Sequence, residues 1–105
     1  MGDRANVVIK DSDSQVCLYT HWSGSDLPEI LKAALIRGKS RWNDRAYLAR
    51  IIFCEMVRGS EMELTGYGIS QNIGDGGDNV IYVDIDAQTV THRGRELSFA
   101  AFSGE

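Results

Sequence analysis

Apolar and polar positions alternate from the first few residues. "ANVVIK" (5–10) is rich in β-branched residues and reads as a strand, "DSDS" (11–14) is turn chemistry, and "QVCLYTHW" (15–22) sets Val16, Leu18 and Thr20 against Cys17, Tyr19 and His21. This predicts a β-hairpin. The period then changes. In "SGSDLPEILKAALIRG", Leu27, Ile30, Leu31, Ala34 and Leu35 follow the i, i+3, i+4, i+7, i+8 spacing of one buried helical stripe. Asp26 is placed as N-cap with Glu29 three residues later. Pro28 sits in the first turn, where its missing N–H costs little, and Gly38 stands at the end with Lys39 beyond it. A second helix is expected from Asn43 as N-cap to about Arg58, with Gly59 stopping it. Its apolar residues (Tyr47, Leu48, Ile51, Ile52, Phe53, Cys54, Met56, Val57) cover most of the circumference. That pattern predicts a central helix, wedged between a sheet and the first helix or a partner chain, with Arg45 and Arg50 as its odd residues.

The remainder returns to strand patterning. "ELTGYGIS" (63–70) is a glycine-punctuated strand, "QNIGDGGDN" (71–79) a loop, and "VIYVDID" (80–86) a strong strand. After a tight turn at "AQ" (87–88), "TVTHR" (89–93) pairs back and Gly94 turns the chain again. "ELSFAAF" (96–102) is the last expected strand, with Leu97, Phe99 and Ala101 on one face. The order β-β-α-α-β-β-β-β predicts a two-layer α+β fold: an antiparallel sheet with a helix pair on one face, as a single domain over 1–105.

Composition narrows the function classes. The 105 residues are 43% hydrophobic and 25% charged, with a formal net charge of -4. Phosphate neutralisation supplies most of the affinity of nucleic-acid binders, so this balance argues against nucleic acid as a partner. No apolar run reaches the ~18 residues a membrane span needs, and the first residues carry no signal-peptide pattern. Cys17 and Cys54 lack metal or redox spacing and are expected to be buried free thiols in a reducing cytosol. No metal or cofactor is expected.

The candidate chemistry is sparse. "GDGGD" (74–78) resembles a phosphate loop only in its glycines, because it leads into a strand rather than a helix N-terminus. Asp84 and Asp86 share one strand face. Asp86 suits a turn, while Asp84 suits pairing with an arginine of the second helix. His21 and His92 are the only histidines, and no nucleophile stands in an elbow context. Hairpin register is more informative. It sets Lys10 opposite Gln15 and therefore Arg4 opposite His21, within a residue or so, which brings Asp3 and Arg4 beside His21 and Trp22. The candidate site gathers Asp3, Arg4, Tyr19, His21, Trp22, Arg45, Tyr47, Arg50 and Tyr67. Such a set suits a structural corner, a protein interface anchored by Trp, Tyr and Arg, or a planar anion held by arginine and stacked on tryptophan. The start of the first helix adds a weak anion site nearby.

"MGDRANVVIK", "LYTHWSG", "YLARIIF" and "TGYGIS" together resemble a family of small bacteriophage and prophage proteins with no established activity, over Gly2 to about Asp84. The resemblance implies a cytosolic accessory protein of infection, of a kind that blocks a host defence system by binding a host protein or sequestering a nucleotide-like ligand. The expectation is a non-enzymatic binding protein, forming a homo-oligomer in the host cytosol. The alternative is a small hydrolase or transferase using His21 with Asp3 or Asp84 and an arginine.

Overall fold

The computed structural model describes residues 2–73 and 77–104. Six strands form one sheet: β1 (Ala5–Lys10), β2 (Gln15–Thr20), β3 (Tyr67–Ser70), β4 (Val80–Asp84), β5 (Thr89–His92) and β6 (Arg95–Ser98). Their order across the sheet is β3-β2-β1-β4-β5-β6. Helices α1 (Leu27–Arg37) and α2 (Arg45–Met56) cover one face, and a short α3 (Phe99–Ser103) follows β6. The α+β class and the helix pair on one face are as the pattern predicts.

The sheet is mixed rather than wholly antiparallel. β1 pairs antiparallel with β2, and the register Lys10↔Gln15 is the expected one. β1 also pairs in parallel with β4, from Asn6↔Val80 to Lys10↔Asp84. The cause lies in how the chain leaves β3. Ser70 is level with Cys17 at the turn end of the first hairpin, whereas β4 begins beside Asn6 at its open end. The end of β3 and the start of β4 therefore lie at different ends of the first hairpin, on opposite sides of β1 and β2. Asn72 and Ile73 line a shallow recess together with Cys17, Tyr19 and Gly68. Asn79 accepts the Asn6 N–H at the other end. The glycine motif at 74–78 falls mostly on residues 74–76, outside the described residues.

The core is the layer between helices and sheet. Val7 and Ile9 of β1, Leu18 of β2, and Ile81 and Val83 of β4 meet Leu27, Leu31 and Leu35 of α1 and Leu48 and Ile52 of α2. In α2 the buried stripe is only Leu48, Ile52 and Met56, at i, i+4 and i+8. Tyr47 and Cys54 are exposed, and Ile51 and Phe53 are half-buried. The helix is therefore not central, and Cys54 is a surface thiol while Cys17 is buried. Its N-cap is Asp44 rather than Asn43, with the carboxylate accepting the Tyr47 N–H at 3.1 Å.

The expected last strand is also corrected. It stops at Ser98, whose Oγ accepts the Ala101 N–H at 3.0 Å and starts α3. The turn of helix places Phe99 in the core, edge-on to Trp42 at 5.5 Å. At the other sheet edge, only Tyr67–Ser70 of the expected 63–70 strand pairs with β2, which leaves the outer edge of β3 bare within the described chain. Among the described residues no helix is long and apolar enough to cross a membrane.

Candidate functional site

The open end of the first hairpin brings together six of the nine residues the sequence singled out. His21 follows β2 directly, and its ring accepts from two neighbours. Arg4 Nε donates to Nδ1 at 3.3 Å, and the Tyr19 hydroxyl lies 3.0 Å from the same nitrogen. A guanidinium can only donate, so Nδ1 is the acceptor and the ring proton sits on Nε2. The Nε2 edge is closed off by Gly2, where a methyl group would come within 2.6 Å of that nitrogen. His21 is thus bonded at Nδ1 and closely flanked by Gly2 at Nε2, which suits a structural ring better than a general base.

Asp3 is consumed in the same way. Its N–H donates to His21 O at 2.6 Å and its carbonyl accepts the Gly24 N–H at 2.8 Å. Its carboxylate accepts from the Ser25 backbone N–H at 2.8 Å and from the Ser25 hydroxyl. These bonds to the Ser25 side chain and backbone hold the Asp3 carboxyl below its usual range. Residues 24–26 form the 3-10 turn that leads into α1, and Asp26 makes no side-chain cap. Asp3 therefore supplies the negative charge at that helix entrance, and the expected anion site is filled by the chain itself.

Trp22 is different. Its ring stands edge-on to His21 (5.6 Å) and to Tyr67 (5.9 Å), yet it remains 51% exposed. Its seat is Gly66, at φ +96, where a Cβ would lie 2.0 Å from the indole. The Gly66 carbonyl accepts the His21 N–H at 2.8 Å and ties the β3 approach to β2. The same approach carries two apolar side chains in open solvent: Met62 is 90% exposed and Leu64 98%. Ile69 on β3 is 62% exposed. The sequence reading missed these three. For Met62 and Leu64 the signal was available in "EMELTG", where apolar residues alternate with glutamates just before a short strand.

The other three residues lie elsewhere. Arg45 Nε pairs with the Asp11 carboxylate at 2.8 Å, at the turn of the first hairpin. That is roughly 20 Å from His21 along β1, at ~3.3 Å per residue. Tyr47 and Arg50 line a shallow recess on α2 with Arg41 and Ile51. The expected convergence of arginines on Trp22 does not occur beyond Arg4. Asp84 does not pair with an α2 arginine either; its carboxylate accepts the Ala87 N–H at 3.1 Å in the β4–β5 turn. His92 lies across the helix-side face, 3.0 Å from the Asn79 side-chain oxygen, its pKa lowered by burial and then by Arg93. Among the described residues no three His, Cys, Asp or Glu side chains gather as metal ligands would, and no buried side-chain nitrogen or oxygen lacks a partner. Compared with family models, curated proteins and solved structures, the chain matches none.

Proposed function

We propose that this chain is a non-catalytic binding protein of phage accessory type, which inhibits a host protein by docking through Trp22 and the approach to β3. One observation carries the reading: Met62, Leu64 and Ile69, on the approach to β3 and on β3 itself, stand 90%, 98% and 62% exposed, and Trp22, seated on Gly66 of the same segment, is half-exposed. Apolar side chains set this far out contribute nothing to the fold, and a Trp with Tyr67 behind it is the usual anchor of a protein interface. The nucleotide-ligand reading is less well supported, because Arg4 and the α1 entrance are occupied internally. The hydrolase reading is less well supported for the same reason at His21. The host-defence setting rests on the resemblance in the sequence.

The bare edge of β3 favours a second reading, self-association, because two such edges can pair about a two-fold axis and close. Native mass spectrometry of protein purified from infected cells separates the two. A Met62→Asp/Leu64→Asp variant is expected to keep the wild-type thermal midpoint and lose the bound partner. A discrete heterocomplex supports host docking, a dimer supports self-association, and a bare monomer in both proteins overturns the proposal.

A further inference from the structure

Charge is divided unevenly along this chain. Residues 32–58, from mid-α1 through α2, hold seven of the eleven basic residues and two of the fifteen acidic ones, a net charge of +5 against -9 for the remainder. The structure uses both acids of that segment internally. Asp44 caps α2, and Glu55 takes Arg37 at 2.8 Å and Arg58 at 2.6 Å. Arg45 is engaged by Asp11. Arg41 and Arg50 are exposed, and among the described residues neither is paired with a carboxylate. They flank a recess of about 280 Å³ with Tyr47 and Ile51. The Arg41 guanidinium lies 4.8 Å from the centre of the Tyr47 ring, which is 53% exposed. Stacking on that ring orients the guanidinium without neutralising it, so its donors stay available.

We infer that the outer face of α2 around Arg41, Tyr47 and Arg50 is a second docking surface, for an acidic segment of a partner protein that carries aliphatic side chains. Charge complementarity selects this occupant. A nucleic-acid strand extends well past one recess and meets the -9 of the remaining chain, whereas a short acidic segment stays within the basic patch. A second copy docking its acidic part here forms a head-to-tail contact that does not close in pairs. The surface lies on the N-terminal half of α2, near the hairpin turn, and is distinct from the Trp22 surface at the other end of the sheet.

The test uses the full chain and a fluorescent twelve-residue peptide of glutamate and leucine, read by anisotropy. Controls are the same peptide with lysine for glutamate and a single-stranded RNA of equal length. The acidic peptide is expected to bind with an affinity that falls as salt rises. Arg41→Glu/Arg50→Glu should weaken it at least tenfold, Tyr47→Ala several-fold, and Met62→Asp/Leu64→Asp not at all. Absence of binding, equal binding by the charge-reversed variant, or binding of the RNA in preference to the peptide overturns the inference.

Discussion

Two aspartates are held by different partners at opposite ends of one hairpin, and both should show in acid. The Arg45 side chain first, then the Ser14 and Asp13 backbone amides, lower Asp11 from an ordinary 3.8 to about 2. A carboxyl depressed in the folded state stabilises fully above its unfolded pKa and loses that contribution as pH falls through the folded value. Asp11→Asn should therefore lower the thermal midpoint at pH 7, and the gap from wild type should close between about pH 4 and pH 2. A constant gap across that range would show that Asp11 acts by packing instead. At Gly66 the issue is shape. Gly66→Ala places a methyl group in the Trp22 ring at a positive φ, which should cost about 1–3 kcal/mol. In a Trp22→Ala background the same change should cost only the backbone term of ~1 kcal/mol. Equal losses in the two backgrounds, by chemical denaturation, would refute the seat. The Arg4–His21 pairing was legible because a short turn fixes hairpin register. The Asp3–Ser25 contact was not, because it joins a strand lead-in to a turn 22 positions away, with no periodicity to reveal it.

At the scale of elements, α1 was readable from its stripe alone, while α2 was misjudged. Counting apolar residues round its circumference ignores that a tyrosine can stack under an arginine and that much of any folded surface is apolar, as at Cys54. The error at α3 has another cause. Alternation in "ELSFAAF" fits a strand, but Ser98 can start a helix and Gly104, at φ 86, can end one. The local cap outcompetes a pattern four residues long. Ser98→Ala should cost about 1 kcal/mol and Phe99→Ala about 3–5 kcal/mol, measured by urea unfolding. If Phe99→Ala proves near-neutral, α3 is not part of the cooperative core.

For the whole molecule, element order sufficed for the two-layer class but not for strand order. The composition of a connection does not reveal which edge of a hairpin the next strand joins, so the parallel β1–β4 pairing was invisible in the pattern. The same holds for the division of charge. A net -4 hides a basic helical surface on an acidic body, and the two proposed docking surfaces should therefore respond oppositely to salt. Apolar docking at Met62 and Leu64 should hold or strengthen as ionic strength rises, while peptide binding at Arg41 and Arg50 fades.

The central strand is made well before its second partner. β2 reaches β1 almost at once, but β4 begins 70 residues after Lys10 leaves the ribosome. At synthesis rates of about 5–20 residues per second, one side of "ANVVIK" waits roughly 4–14 s for its partner. In that interval the most deeply buried strand of the described sheet is an open template. A nascent chain stalled before Val80 is then the form most open to edge pairing with other chains.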